Sequence, residues 1–354
     1  PPSRLGDMIS DEYYAAEKAA AEGDLPALNA IPRHELDATD QIAYDTFEFT
    51  TRDKLPGYQP EILSLTKVRP LNHFYGIQTF YPTFASGKGG APFNTVQDYE
   101  NNLKRHKDFV VYVDRAIGRF KEGEAAGVVE TKMTVRNMIE QLDGQLKMRP
   151  EDSPYFGPVK QFPEAIGAAD RERLTQAHRA AITQEIYPAL TRLRDFLKSD
   201  YLPAARNGFG LMYMKDGEHL YRYQIQSTTT LPMTPEEIHE IGLKEVARIT
   251  AEMEQVKEKA GFKGDLAAFI QFLRTDPQFY AKTPEELLAF SALVAKRADG
   301  QLKYTIGFLP RYRFTILPVP DAIAPTYTSG RGGLDACLMN TYDLPSRPLY
   351  QIPA

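Results

Sequence analysis

The sequence predicts a mainly α-helical protein with a small β element near the C-terminal end. Apolar residues recur every three or four positions through most of the chain, which is the spacing of amphipathic helices. After residue 310 this pattern gives way to Pro, Gly and β-forming residues. We therefore expect a helical domain over residues 1–310 and a strand-and-loop segment over 311–354. No low-complexity linker separates them, so both belong to one predicted domain.

Composition excludes several classes of protein. Lysine and arginine number 42 against 47 acidic residues, so no excess of positive charge indicates a nucleic-acid partner. No apolar run approaches the roughly 18 residues that a membrane span needs. The single cysteine, Cys337, excludes an internal disulfide and a cysteine-rich metal site. The first residues, "PPSRLGDMIS", contain neither an initiator methionine nor a signal peptide, which is compatible with a processed, exported protein.

Two long helices are predicted in the first half of the chain. Within 95–127, Tyr99, His106 and Phe109 belong to an apolar stripe with helical spacing. Residues 171–205 show the same periodicity, and Pro188 is expected to kink or divide that helix.

Two further helices have clear start signals. Thr234, Pro235 and Glu237 form a capping-box pattern before a helical stripe. The same "TPEE" pattern returns at 283–286 before a second stripe. The flanking sequences do not align, so the pattern is not an internal repeat.

The C-terminal segment contains two strand candidates, "RFTILPV" (313–319) and "DACLMNTY" (335–342). The glycine loop "TSGRGG" (328–333) joins them. Neither this loop nor "ASGKGG" (85–90) is a nucleotide-binding loop, because a Walker sequence requires Gly-x-x-x-x-Gly-Lys-Ser/Thr. Arg331 remains a candidate for binding a carboxylate, since it lies on a glycine loop beside a strand.

None of the six histidines has a second histidine three or four residues away, the spacing that places two zinc ligands on one helical face. We expect His106 and His178 to be ordinary, partly buried or surface residues. His239 and Glu240 begin a zincin-like pattern, but Leu243 stands where the second histidine is needed. Because Gly242 inside a helix indicates close packing, we predict that His239 is hydrogen-bonded at a helix–helix contact. A complete catalytic constellation is not apparent.

Three stretches, at 98–129, 185–253 and 340–354, together resemble the bacterial domain-of-unknown-function-885 family. Members of that family are described as lipoproteins or zinc peptidases. The resemblance implies a fold like that of thermolysin-like or oligopeptidase-like metallopeptidases. It also implies export, to the periplasm or as an anchored lipoprotein.

In that family the chain continues past "RPLYQIPA" into an Ala-Leu-x-Leu-His-Glu-x-x-Pro-Gly-His segment, taken as the metal-binding helix. The resemblance therefore implies a zinc-dependent peptidase that hydrolyses short peptides by metal-activated water, with its zinc ligands outside this chain. Residues 1–354 alone are expected to be inactive and incomplete, with a second fragment or chain carrying the C-terminal half.

By analogy with thermolysin-like peptidases, "DACLMNTY" is expected to be an edge strand that lines the substrate cleft. The resemblance makes Tyr327, Arg331 and Asn340 candidate substrate-binding residues, with a peptide as the partner. Two alternatives remain open. One is a non-catalytic helical protein that binds or scaffolds peptides, and the other is a hydrolase of a different amide or ester.

Overall fold

The computed structural model describes residues 2–309, 311, 314–320, 324, 329–333 and 336–351. The chain forms two compact units, Pro1–Pro235 and Glu236–Ala354. The second unit begins at the helix Pro235–Lys259, well before the strands. The change from helical pattern to strand-and-loop segment expected at residues 310 and 311 falls within this unit.

The first unit consists of helices joined by short turns. Its ten α-helices are α1 (Asp11–Asn29), α2 (Ala38–Lys54), α3 (Pro60–Thr66), α4 (Ile77–Phe84), α5 (Val96–Ala126), α6 (Lys132–Leu146), α7 (Ala168–Ala181), α8 (Tyr187–Phe196), α9 (Leu202–Ala204) and α10 (Gly217–Thr229).

Helix α5 confirms the helix predicted over 95–127, and both of its ends are capped. Thr95 and Asp98 form a capping box, in which the Thr95 hydroxyl accepts from the Asp98 N–H and the Asp98 carboxylate accepts from the Thr95 N–H. The helix ends at Gly127, whose φ of 74° lies in the left-handed region that glycine adopts without strain. These caps satisfy backbone groups that a helix end otherwise leaves unpaired.

One face of α5 is buried in the larger of two apolar clusters. Phe109, Val113 and Phe120 on this face are each 0% exposed. They pack with apolar residues of α4, α6 and α8, including Tyr81 and Leu190. Such close-packed side chains contribute most of the free energy of folding. The core that positions the other elements of the first unit is therefore built around α5.

The second predicted long helix is interrupted twice by π-helical turns. One turn covers Ile182–Ile186 and leads into α8, and another covers Leu197–Tyr201 and leads into α9. Each is followed at once by a proline, Pro188 or Pro203, near the start of the next helical segment. A proline lacks the N–H that a regular helix needs and clashes with the preceding turn. The wider π-turns keep the chain helical where prolines would otherwise break it.

The N-terminal segment runs along α5 and is held by ion pairs and hydrogen bonds. The Asp108 carboxylate accepts from the Arg4 side chain and from the Leu5 N–H, both at 2.8 Å. Farther along α5, the Arg119 guanidinium is 3% exposed and donates to the Ile9 carbonyl at 2.9 Å. The segment before α1 is thus fixed to α5 over several helical turns.

The described part of the second unit has four α-helices and a small sheet. They are α11 (Pro235–Lys259), α12 (Leu266–Thr275), α13 (Pro284–Asp299), α14 (Leu302–Thr305), β1 (Thr315–Pro318), β2 (Gly330–Gly332) and β3 (Ala336–Met339). Both "TPEE" sites start helices as predicted, and at the second site the Thr283 hydroxyl accepts from the Glu286 N–H at 3.2 Å.

The strands form a three-stranded sheet of order β1-β3-β2. β1 is parallel to β3, and β2 is antiparallel to it. Both predicted strands are confirmed as β1 and β3. The predicted glycine loop differs, because Gly330–Gly332 within it forms the strand β2. The fold class is therefore mainly α, with a small sheet near the C-terminal end.

The two units differ in how much apolar surface they bury. Among the described residues, both clusters of buried apolar side chains lie between Leu5 and Tyr223. The described part of the second unit has five buried apolar residues: Phe269, Ala281, Leu287, Val319 and Ala324. The first unit thus contains a large core, whereas the second has only scattered buried positions.

Two glycines of α5 allow a direct test of the packing around this helix. A Cβ atom on Gly123 would meet the Val128 and Val68 carbonyl oxygens at 2.6 and 2.9 Å, whereas one on Gly118 would meet nothing within 4 Å. We expect Gly123→Ala to lower the free energy of unfolding by about 1–3 kcal/mol through overpacking. Gly118→Ala should raise it by about 0.5–1 kcal/mol through helix propensity. Urea unfolding measures both, and shifts in the same direction would contradict this packing.

Candidate functional site

Arg331 lies in the middle of β2, and its side chain is exposed. In the sheet it stands opposite Leu338 of β3. Because the strand order is β1-β3-β2, β2 is paired on one side only among the described residues. Arg331 therefore lies on an edge strand of the described sheet, flanked by two glycines.

The hydrogen bonds of the hairpin show which backbone groups of β2 are free. The Asn340 N–H donates to the Ser329 carbonyl at 2.8 Å, and the Gly333 N–H donates to the Ala336 carbonyl at 2.7 Å. Hydrogen-bonded pairs alternate with non-bonded pairs in an antiparallel ladder. Residues 329, 331 and 333 therefore direct their backbone groups towards β3. The residues whose N–H and C=O groups face the open edge are Gly330 and Gly332.

The strand that we expected at the edge of the sheet is not an edge strand. We predicted that "DACLMNTY" would be the edge, but its strand β3 is central and pairs with both neighbours. Its backbone groups are engaged in the ladder, so β3 is not available to pair with a peptide. Gly330–Gly332, which we expected to be part of a loop, forms the strand β2 and covers this side of β3. The open edge on this side of the sheet is therefore that of β2.

Asn340 directly follows β3 and is 0% exposed. Its side-chain N–H donates to the Ala324 carbonyl at 2.8 Å, and its side-chain carbonyl accepts from the Tyr342 N–H at 3.0 Å. The side chain fixes the chain at the end of the strand. A direct contact with substrate would require these hydrogen bonds to open. Tyr327, the third predicted residue, lies outside the described residues, and its role stays a prediction.

A buried polar cluster joins α5 and α7 in the first unit. His106 and His178 are each 0% exposed, so the expectation of partly buried or surface residues was wrong. Their rings lie 5.9 Å apart, nearly perpendicular. Asn102, one turn before His106 on α5, places its amide nitrogen 3.2 Å from His106 Nε2 and 3.4 Å from His178 Nε2. One asparagine thus bridges two histidines from different helices.

The groups around this cluster determine its proton positions. His178 Nδ1 lies 2.9 Å from the Leu174 carbonyl, which can only accept, so Nδ1 carries the proton. The Arg105 guanidinium donates to the Asn102 side-chain carbonyl at 3.1 Å, which orients the Asn102 NH₂ group towards the two rings. Both Nε2 atoms are then acceptors. His106 Nδ1 donates to the Tyr81 hydroxyl oxygen at 2.8 Å.

Burial keeps both rings neutral. Desolvation lowers the pKa of His178 from 6.5 to about 4, although its hydrogen bond to Leu174 opposes the change. Desolvation, with smaller contributions from His178 and Arg105, lowers the pKa of His106 well below its usual value. Neutral rings agree with the proton positions, because each Nε2 must keep a lone pair to accept from Asn102.

These residues do not fit a zinc site. The atom that both Nε2 atoms approach belongs to an amide NH₂ group, which has no lone pair for a metal. A structural or catalytic zinc ion needs at least three protein ligands. Within the described part of the chain, no three or more His, Cys, Asp or Glu residues are grouped so that they could hold a metal ion.

The helix–helix contact expected at His239 is not found among the described residues. His239 is exposed on α11, and no residue of that helix is buried. A Cβ atom built on Gly242 would meet nothing within 4 Å. The packing partner that the glycine suggested is therefore not among the described residues.

Comparison with known proteins places the chain in a family. A family model described as "Bacterial protein of unknown function (DUF885)" matches residues 2–354. The chain belongs to this DUF885 family. A search of curated proteins gave no match.

A solved structure shows the same fold as this DUF885 chain. It is described as "The crystal structure of the putative lipoprotein from Colwellia psychrerythraea", and it superposes with a TM-score of 0.80 at 19% sequence identity. The match covers 97% of this chain and 61% of that protein, so the chain spans less than two thirds of the length of the lipoprotein. Among the described helices, none is long and apolar enough to cross a membrane.

The buried histidines predict a specific dependence of stability on pH. The unfolded chain protonates a histidine near pH 6.5, whereas folded His178 takes up a proton only near pH 4. Between these values the unfolded state binds more protons, so the free energy of unfolding falls as the pH falls. The difference between the two pKa values of His178 corresponds to a loss of about 3 kcal/mol in the free energy of unfolding.

A His178→Gln variant tests this origin. We expect it to be less stable than the wild type at neutral pH, but to lose about 3 kcal/mol less as the pH falls from about 7 to about 4. Urea unfolding at a series of pH values gives both curves. Parallel curves for the two proteins would show that His178 does not cause the pH dependence.

Proposed function

We propose that the complete protein is a zinc-dependent peptidase that hydrolyses short peptides, with its zinc ligands outside residues 1–354. Membership of the DUF885 family supports this assignment, together with the family segment expected after "RPLYQIPA". The match to only 61% of the Colwellia lipoprotein leaves room for such a segment in the relative. On this proposal, residues 1–354 are inactive alone and contribute part of the peptide-binding wall.

The observation that carries the peptide-binding part of the proposal is the open edge of β2. Gly330 and Gly332 each present one N–H and one C=O group away from β3. An extended peptide can pair with these groups as an additional strand, and such pairing does not depend on the side chains of the peptide. The edge is therefore suited to a substrate recognised through its backbone.

Arg331 adds a charged group to this edge. It is the one residue of β2 with a side chain, because both of its neighbours in the strand are glycine. Its exposed guanidinium can donate two parallel hydrogen bonds to a carboxylate. In short peptides the terminal carboxylate lies within a few residues of any backbone group, so backbone pairing and carboxylate binding can occur together.

A non-catalytic peptide-binding or scaffolding protein is the second candidate. The open edge supports it equally, because strand pairing requires neither a metal nor a nucleophile. In either case we propose that the protein is exported, as a periplasmic or lipid-anchored protein, in line with the description of the Colwellia structure.

Removing the Arg331 side chain should weaken recognition of the peptide carboxylate. In the complete protein we expect Arg331→Ala to lower kcat/KM about 10- to 100-fold for a tripeptide with a free C-terminus, since a hydrogen bond to a charged group contributes about 1.5–3 kcal/mol. The same tripeptide with an amidated C-terminus should be cleaved equally by both proteins. Arg297→Ala, at an exposed arginine of α13, is the matched control.

If Arg331→Ala leaves kcat/KM unchanged for the tripeptide with a free C-terminus, Arg331 does not bind the substrate carboxylate. A complete protein that binds the tripeptide but does not hydrolyse it in the presence of zinc would favour the non-catalytic alternative. Asn340→Ala is a weaker probe, because loss of its buried hydrogen bonds should destabilise the fold by about 1–3 kcal/mol.

The open edge can be tested independently of Arg331. Proline at position 332 removes one outward N–H, leaves the hydrogen bonds to β3 intact, and meets no atom within 4 Å at its Cβ. We expect Gly332→Pro to weaken binding of free and amidated tripeptides alike, measured by calorimetric titration of the complete protein. Equal affinity of the variant and the wild type for both peptides would exclude strand pairing at this edge.

A further inference from the structure

We propose that one face of α11 is the docking site for a helix of the polypeptide that corresponds to the unmatched part of the Colwellia lipoprotein. The face, here called the α11 seam, consists of His239, Gly242, Val246, Ile249, Met253 and Val256. The proposal rests on the function proposed above, because that polypeptide is also where the zinc ligands are expected.

The spacing of the α11 seam is that of a helix–helix interface. Its six residues are separated by three, four, three, four and three positions. This alternation keeps side chains on one side of a helix and repeats as it does in packed helix pairs. None of the six is Lys, Arg, Asp or Glu. The seam is therefore a continuous, largely apolar stripe along α11.

The charged residues of α11 lie beside the seam and pair with one another. Arg248 makes ion pairs of 2.7 Å with both Glu245 and Glu252. Lys244 lies 4.0 Å from Glu240. These ion pairs lie outside the seam, on a surface that also includes the exposed Ile241 and Leu243. The charged residues of α11 are thus kept off the seam, as in a helix with one packed side.

The seam is nevertheless exposed. Helix α11 has 25 residues and none of them is buried. Val246, Val256 and Ile249 are 64%, 55% and 44% exposed. Large contiguous apolar surfaces of this kind mark interaction sites on soluble proteins.

Gly242 indicates that the missing partner approaches closely. Glycine destabilises a helix interior relative to alanine. Gly242 does not have a positive φ, so its backbone conformation does not require glycine. Nothing in the described structure lies within 4 Å of a Cβ atom at this position. A helix that packs across the seam at Gly242 supplies the close contact that a glycine permits.

The described part of the second unit buries few apolar residues for its length. The five buried apolar residues given above lie on α12 and α13, between these two helices and in the strand region, and none is on α11. Folded units of this size normally bury well over half of the surface of the unfolded chain. A further polypeptide that covers α11 would complete this core.

The comparison with the solved structure suggests which polypeptide covers the α11 seam. Nearly all of this chain, 97%, superposes on the lipoprotein with a TM-score of 0.80, but 39% of the lipoprotein (100% minus 61%) has no counterpart here. On this proposal, that remaining part packs against the shared fold. The α11 seam is an exposed apolar face within the shared region, so the unmatched part is the occupant that accounts for it.

The test measures binding between residues 1–354 and the part of the natural gene product that corresponds to the unmatched part of the lipoprotein, produced separately. We expect a complex in which the amides of α11 become protected from hydrogen exchange. Gly242→Leu should weaken the complex at least tenfold, because the added side chain fills the position of closest approach. Leucine is a better helix former than glycine and position 242 is exposed, so circular dichroism should show an unchanged fold.

Ala247→Leu is the matched control. Ala247 is exposed on the same helix but lies outside the seam, so the same side chain should leave affinity unchanged. Equal binding by Gly242→Leu and Ala247→Leu would overturn the proposal, and so would a natural gene product that has no part corresponding to the unmatched part of the lipoprotein. A dimer of residues 1–354 that Gly242→Leu dissociates would also overturn it, because the seam would then bind a second copy.

Binding is measured without zinc and without substrate, so the two proposals fail separately. If a complex forms, is weakened by Gly242→Leu and shows no peptidase activity with zinc, the docking site is supported and the proposed function is excluded. If the complex hydrolyses peptides but its affinity is unchanged in Gly242→Leu, the proposed function is supported and the docking site is excluded.

Discussion

Burial of one face of α5 is the constraint on which the first unit depends. The apolar residues of this face require neighbouring helices to cover them, and the polar residues on the same face require partners inside the core. Asn102 and His106 find those partners in His178 from α7 and Tyr81 from α4. An unpaired polar group at this depth would cost about 1–3 kcal/mol, which is a substantial part of the roughly 5–15 kcal/mol that stabilises a typical domain. The polar cluster therefore fixes how α4 and α7 pack on α5.

The described part of the second unit has no comparable element. Its longest helix has no buried residue. Its sheet has two edge strands among the described residues, β1 and β2, and β2 presents the outward backbone groups of Gly330 and Gly332. These two exposed features differ in chemistry. The α11 seam is apolar and suits a permanent partner, whereas the edge of β2 is polar and suits an exchangeable peptide. On the functions proposed here, the first unit supplies a stable scaffold and the second supplies both binding surfaces.

The helices and strands could be predicted because their signals are local. The stripe of α5, the "TPEE" starts and the strands β1 and β3 depend on residues close together in sequence. The stripe also contained a sign that His106 is buried, since it shares a helical face with Phe109. Its bridge to His178 could not be predicted, because it joins residues that are distant in sequence. The strand β2 was missed because a three-residue strand with two glycines has no β-forming pattern.

The first unit folds around its own core, whereas α11 has no packing partner for its seam among the described residues. Native-state hydrogen exchange on residues 1–354 measures this difference, because it reports the stability of each helix separately. We expect amides in the middle of α5 to exchange only through global unfolding, and those along α11 to exchange through local opening at a much lower free energy. Equal protection of α11 and α5 in residues 1–354 would show that α11 is already stably packed without a partner.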